Sequence, residues 1–543
     1  MRSVPPHVKQ FEFSQGEEVE IVNNIAVRFE CPSDIAQTIK SYIDRSEVLE
    51  DKNGIADVVV HWGLDEMQRL TYLTPPTIKV PSPIERDYKW PGMFQPFDHQ
   101  RDTSRFLTLN KRAFCFNEAG TGKTSAAIWA ADYLMNQGIV KRVLVVCPLS
   151  IMQSAWQADL FKTAMHRTCG IAHGTTSKRK KIINGLYDFV IINYDGVGVM
   201  EKEIAGKFDL IIIDEANAYK TTSTKRWRTL ARILTKDTYL WMMTGTPASQ
   251  SPEDAFGLAK LINPNGVPRY ATAWKDAVMR QVTKFKWVPK PNAQDTVFKA
   301  LQPAIRYEKA QCLDLPEVTY QTRVVPLTPQ AMKYYRELLK EMQIQAAGET
   351  ISTVNAAAAL SRLLQLSGGA VYTDDGNVVE FDVQPRLSVL HEVLDESPHK
   401  VIVFVPYKHT LYLIKNYLER NGITNEIISG EVSAGRRSAI FNSFQTIAHP
   451  QVLLIQPQAA SHGVTLTAAD TVVFWSPVMS VETYLQCIAR IDRVGQKNKM
   501  TVIHLQGSEV ERRMYTMLQN KVDMHEQLVD LYRIEIEEGE INE

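Results

Sequence analysis

The stretch Lys111 to Thr124, KRAFCFNEAGTGKT, constrains this chain more than any other. RAFCF is short, apolar and aromatic-rich, as a buried strand is, and SAAIWAADYLMNQ beyond the glycines has the make-up of a helix. Strand, glycine turn, Gly-Lys-Thr and helix together make a loop that cradles phosphates. Gly120 and Gly122 let backbone N–H groups approach an anion, and the helix N-terminus adds positive potential. Lys123 supplies a point charge for β- and γ-phosphates and the Thr124 hydroxyl suits Mg²⁺; Thr121 and Ser125 fall in the same cofactor-binding set. Asn117 departs from the strict pattern, which begins with a small residue.

FDLIIIDEANAY is the second motif: a continuously apolar strand that ends in Asp214-Glu215. Acids at the carboxyl end of a buried parallel strand lie where open α/β sheets bind ligands. Asp214 is read as the Mg²⁺ holder and Glu215 as the base that orients and deprotonates water. YLWMMTGTP adds a strand ending in Thr244, Gly245 and Thr246, whose hydroxyls suit sensing of a phosphate site. Gln100, a short way upstream of the loop, offers a donor and an acceptor that match an adenine edge.

At 543 residues the chain calls for two large domains plus smaller pieces. No apolar run is long enough to span a membrane, and MRSVPPHVKQ has no apolar core of a secretory signal, so a cytoplasmic protein is expected. Six scattered cysteines without a C-x-x-C pair point to reduced thiols and away from a zinc site. Lys plus Arg equals Asp plus Glu, so any nucleic-acid contact must come from local patches.

Residues 1–90 read as an α+β accessory module that either packs passively or binds a partner, DNA branch or protein. EVEIV and IAVRF flank the turn signal Asn23-Asn24, Ser33 is a candidate cap for IAQTIKSYIDR, and DVVVHW and RLTYL read as strands. From residue 91 to 265, strands alternate with helices around a parallel sheet. Ser150, after RVLVVCP, is either a phosphodiester contact or a helix cap, and SKRKK reads as a solvated face. The span 266–385 is expected to be mostly helical, 386–530 a second α/β lobe, and 531–543 an acidic tail. Arg490 and Arg493, three apart in QCIARIDRVGQ, share a face if helical; they then either reach one anion or pair with nearby acids. Arg436 and Arg437 read as surface or DNA-facing residues.

NEAGTGKT, DEAN, TGTP and QCIARIDRVGQ occur in the order of a superfamily 2 helicase motor. Within that superfamily ALQPAIRYEKAQCLDLPEVTYQTRVVPLTPQAMKYY resembles the Swi/Snf-type DNA-dependent ATPases. The resemblance covers roughly residues 93 to 530. It implies two RecA-like lobes with a helical insertion, closing on ATP and Mg²⁺ at their interface, with DNA across both. It assigns Gln486 to the nucleotide, Gly463, Thr465 and Thr467 to the loop that contacts DNA and nucleotide, and Arg490 and Arg493 to the departing γ-phosphate. Three departures stand out: Asn217 and Asp492 replace His, and Met479 replaces the Trp of chromatin remodellers. Val464-Thr465-Leu466 is closer to the fork-remodelling, annealing branch. The expectation is a compact, monomeric bacterial or phage motor, stimulated by duplex or branched DNA. The alternatives are a strand-separating helicase on forks or RNA, a nucleotide-gated DNA switch with little turnover, and a remodeller of protein complexes on DNA.

Overall fold

The computed structural model describes residues 19–74, 79–245, 247, 251–282, 287–312, 315–346, 353–372, 378–459 and 464–520. Thr246, Gly463 and the acidic tail lie outside them. The chain forms two compact units, Met1–Pro247 with Pro252–Glu308, and Ala248–Ser251 with Lys309–Glu543.

The first unit opens with a four-stranded antiparallel sheet in the order Glu20–Val22, Ala26–Pro32, Ile55–His61, Ser46–Lys52. Asn23 and Asn24 take φ of 52° and 55°, the left-handed values that close the expected hairpin. Two expectations fail here. RLTYL is not a strand but the end of the helix Leu64–Leu73, because Leu64, Met67, Leu70 and Leu73 recur at helical spacing and are buried along one stripe. Ser33 does not cap its helix; it lies inside Ser33–Tyr42 and its hydroxyl donates to Asp51 Oδ1 at 2.7 Å.

A seven-stranded, all-parallel sheet follows, in the order Ala304–Ile305, Arg112–Cys115, Tyr239–Met243, Leu210–Asp214, Val143–Cys147, Phe189–Asn193, Cys169–Ala172. Its central strands are apolar up to Asp214, the last residue of one of them, because helices cover both faces. One apolar core runs from Val27 in the N-terminal sheet to Met243 in the parallel sheet, so residues before 91 share the interior of the lobe. The Tyr88 hydroxyl donates to buried Asp132 on the helix Lys123–Asn136, and Trp129 on that helix donates to the Pro91 carbonyl.

The second unit has a six-stranded parallel sheet in the order Val318–Val324, Met500–Gln506, Ala469–Phe474, Lys400–Phe404, Val452–Ile455, Asn425–Ile428. The span 266–385 contributes to both units: Ala304–Ile305 edges the first sheet and Val318–Val324 the second, with the helices Pro329–Ala346 and Thr353–Gly368 after it. Gly369, at φ of 109°, ends the latter. Arg386 crosses the interior of this unit, its Nη2 on both Glu511 oxygens at 2.8 and 2.9 Å, with both side chains almost fully buried.

Candidate active site

Three strands that lie side by side deliver the first unit's candidate site segments to one edge. Met243 is level with Cys115 on one side and with Asp214 on the other, so the phosphate loop, the Thr244 segment and the acid pair leave the sheet at the same height. The strand order alone brings these distant segments together.

The loop is held from behind. Gly120 and Gly122 take φ of 90° and 80°, which favours glycine, and a Cβ at Gly122 would sit 2.0 Å from Gln100 Nε2, so that side chain would have to move. Gln100 donates to the Thr121 carbonyl at 3.2 Å, and its oxygen accepts from the Phe97 N–H at 3.0 Å. The amide read as an adenine-edge partner is thus engaged inside the protein as a loop brace. His99 Nε2 also meets the Thr121 carbonyl, at 2.8 Å; that oxygen can only accept, so Nε2 carries the proton. Asn117 is buried, donates to Thr103 at 2.8 Å and accepts from the Tyr307 N–H at 3.0 Å. Its amide ties the loop to a helix and to the segment after the edge strand, which a smaller residue there would not do.

Lys123 folds over the loop, with Nζ 2.7 Å from the Asn117 carbonyl and 3.1 Å from that of Glu118. Thr124 is half-buried in the first helical turn, whereas Ser125 is buried and its hydroxyl accepts from Thr163 at 3.4 Å. A Cβ on Gly245 would be 3.4 Å from the Ala119 nitrogen, which places the Thr244 segment against the same loop. The left-handed glycines, the lysine at the mouth and the nearby threonine and carboxylate are a donor set that fits a nucleotide phosphate chain with Mg²⁺.

The acid pair is fixed by two aromatic donors that the sequence did not reveal. Trp156 Nε1 donates to Asp214 Oδ2 at 2.8 Å, while Asp214 Oδ1 accepts from the Glu215 N–H at 3.1 Å. The Tyr194 hydroxyl donates to the Asp214 carbonyl at 2.7 Å and to the Glu215 carbonyl at 3.2 Å. Burial first, and then the charges of Glu215 and Asp214, push the Tyr194 phenol well above its ordinary range, so it stays a donor. Glu215 itself is left-handed at φ of 52°, a conformation that costs on the order of 1 kcal/mol or more for a residue with a side chain. Burial raises the Cys115 thiol to about 11 and the Cys147 thiol well above its ordinary value, so the cysteines nearest the acids are inert packing.

In the second unit the arginines differ from expectation. The helix Val481–Ile488 ends before them, and Arg490 and Arg493 sit in the turns that follow rather than on a shared helical face. They converge by another route. Buried Arg490 donates to the Gln486 carbonyl at 3.0 Å and the Val464 carbonyl at 3.1 Å; Arg493 donates to the Ala489 carbonyl at 2.7 Å and Thr465 Oγ1 at 3.4 Å. Thr467 Oγ1 accepts from Gln445 at 3.4 Å, and the Gln486 side chain donates to Glu482 at 3.3 Å. Asp492 forms an ion pair with Lys309, so the acid that replaces His has a local counter-charge. Arg437, read as surface or DNA-facing, instead clamps the carbonyls of Ser429, Val432 and Ala459. Ser150 is half-buried in the turn Leu149–Ile151.

Residues 99–368 match the SNF2-related domain and residues 385–495 the helicase conserved C-terminal domain. The chain is 25% identical over 438 residues to the Chromodomain-helicase-DNA-binding protein 1-like of Mus musculus, covering 76% of this chain and 47% of the relative. It therefore spans about half the length of that protein. Protein p41 of Acyrthosiphon pisum secondary endosymbiont phage 1 is 26% identical over 443 residues, 76% of this chain and 92% of its own. Among solved structures, the Sulfolobus solfataricus SWI2/SNF2 ATPase core in complex with dsDNA is 21% identical, covers 82% of this chain and 96% of that one, and has a TM-score of 0.39. No helix among the described residues is long and apolar enough to cross a membrane. With an SNF2-related domain followed by a helicase C-terminal domain on two RecA-like parallel sheets, the chain belongs to the Swi/Snf-type ATPases of helicase superfamily 2.

Proposed function

We propose that this ATPase is a DNA translocase that moves on double-stranded or branched DNA, as in fork remodelling, branch migration or annealing. The reading rests above all on the shared height of the phosphate loop, the Thr244 segment and the acid pair at the edge of one sheet. Lys123, Thr124 and Asp214 would hold ATP·Mg²⁺, with Gly120, Thr121, Gly122 and Gln100 shaping the loop around it. When bound, Mg²⁺ neutralises charge on the phosphate oxygens. Glu215 accepts the proton of the attacking water, and Lys123 exchanges two backbone carbonyls for phosphate oxygens. Arg490 and Arg493 are the second lobe's proposed contribution to the transition state during turnover. Ser150, Thr244, Thr465 and Thr467 are the proposed coupling and DNA contacts among the described residues; such phosphate contacts need no sequence preference, which suits a motor that moves. The protein acts as a monomer in the cytoplasm of a bacterium or a phage-infected host, and residues before 91 bind a partner or DNA branch while bracing the first lobe.

Steady-state ATP hydrolysis with no nucleic acid, single strands, duplex, forked DNA and RNA tests this, with Glu215→Gln as control. Strong stimulation by duplex or forks that the substitution abolishes is the expected result. Equal, slow turnover in every condition would overturn the motor, and preference for RNA would move the track.

A further inference from the structure

The indole of Trp156 reaches the acid pair from the segment that follows the strand Val143–Cys147. That segment begins with the turn Leu149–Ile151, where Leu149 is half exposed and Ser150 half-buried. It continues as a π-helical turn over Met152–Gln157, in which the Ala158 N–H bonds to the Gln153 carbonyl five residues back. Trp156, at the end of this turn, is 1% exposed, and its one polar atom is 2.8 Å from Asp214 Oδ2. Asp214 is 8% exposed, and a charged acceptor so enclosed is oriented by the donors it meets. With Oδ2 on the indole and Oδ1 on the Glu215 N–H, the carboxylate is held between the next residue and a side chain from a distant segment.

A π-turn holds one residue more than an α-turn, and such turns recur at functional sites. A slip of one residue into α-helical register would rotate the following side chains by about 100° and withdraw the indole from Asp214. The π-turn is thus the register in which the indole meets the acid.

We propose that Trp156 is a positioning residue, through which the DNA-facing turn at Ser150 sets the orientation of Asp214 and so the affinity of the site for metal-bound nucleotide. The proposal deepens the motor reading and rests on it. Contact of a DNA backbone with the turn at one end of the six-residue π segment alters the hold of the indole at the other. Stimulation by DNA then acts in part on how the acid meets the metal and not only on how the lobes move.

The test is ADP binding to the full-length chain by calorimetry, with Mg²⁺ and with EDTA, in the absence and presence of duplex DNA. Trp156→Phe is expected to reduce the gain in affinity given by Mg²⁺ about tenfold, the size of one lost bond to a charged group. Its affinity for metal-free ADP should be unchanged, and duplex should shift the Mg²⁺ gain in the native chain but not in the variant. Trp129→Phe is the control, since it also loses a buried indole bond, to the Pro91 carbonyl at 2.9 Å, and should keep the native gain. If phenylalanine leaves too large a void to fold, a benzothiophene side chain at position 156 replaces the N–H with sulfur at nearly equal volume and carries the same expectation. An unchanged Mg²⁺ gain, or an equal fall in both tryptophan variants, would overturn the positioning role. A native chain whose hydrolysis ignores DNA would instead sink the motor reading, which separates the two failures.

Discussion

The acid pair of the first unit and the arginine turn of the second are held in opposite ways. Asp214 and Glu215 are fixed by Trp156, 58 residues back, and by Tyr194, 20 residues back, each on a segment that follows a different strand. Arg490 and Arg493 each donate to a carbonyl four residues earlier and once to the segment Val464-Thr465. The acids inherit their geometry from a whole sheet, whereas the arginines inherit theirs from one turn and one neighbouring strand approach. Substitutions far from the acids should therefore reach them, and the arginines should answer only to their immediate surroundings.

The largest effect falls on the arginines and splits them. Arg493→Ala should lower kcat by about 10³-fold or more, the scale of a transition-state arginine, without moving the melting temperature. Arg490→Ala should cost a similar factor and also destabilise the second unit by about 2 kcal/mol, because it removes a buried guanidinium bonded to the Gln486 and Val464 carbonyls. Equal melting temperatures for the two variants would break the distinction between them. On the acid side, Glu215→Gln should reduce hydrolysis by about 10² to 10⁴-fold, the range of a lost general base, with nucleotide affinity retained. Loss of ADP binding instead would show that Glu215 holds the ligand and does not serve as the base.

The same contrast explains what the sequence disclosed. The strand–loop–helix of the phosphate loop, the strand ending in Asp214-Glu215 and the parallel sheets were legible because each is written in contiguous residues with strong periodicity. Trp156 and Tyr194 were not, since the bonds that make them matter join segments remote in the chain; a tryptophan that must hide a polar handle was the one available signal. Arg490 and Arg493 were found by motif but misplaced by geometry, because the helix stops at Ile488 and the chain turns under them. RLTYL misled because five residues alternate like a strand while the full stripe from Leu64 to Leu73 is helical. Arg437 adds what an arginine pair in the sequence cannot tell, that the Nη groups of a half-buried side chain meet three backbone carbonyls.

Acid should act on the second unit through its sheet. His504, on the strand Met500–Gln506, is fully buried; its Nε2 meets the Tyr484 hydroxyl at 2.9 Å, Tyr515 stacks on it at 4.3 Å, and Tyr320 and Gln519 flank it. Burial lowers its pKa from the ordinary 6.5 to about 4. The unfolded chain binds this proton below pH 6.5 and the folded chain only near pH 4, so stability is complete above 6.5 and falls as the pH drops between those values. The full loss is about 3 kcal/mol. Denaturant melts at pH 7.5 and 4.5 should show it, and His504→Gln should flatten the dependence. A native chain equally stable at both values would overturn this.

The smallest effect tests whether the acid pair depends on distant support. Tyr194→Phe keeps the ring, including its 4.8 Å contact with the Arg226 guanidinium, and removes only the hydroxyl shared by the Asp214 and Glu215 carbonyls. Loss of that hydrogen bond should cost about 1 kcal/mol of stability. The left-handed Glu215 then loses part of what holds its strained peptide, so the carboxylate samples orientations unsuited to proton transfer. Hydrolysis should fall several-fold through kcat, with KM for ATP nearly constant, since Lys123 and the loop are untouched. A change in KM alone would place Tyr194 with the nucleotide, and no change in either would mean that the strand end keeps its shape without help from its neighbours.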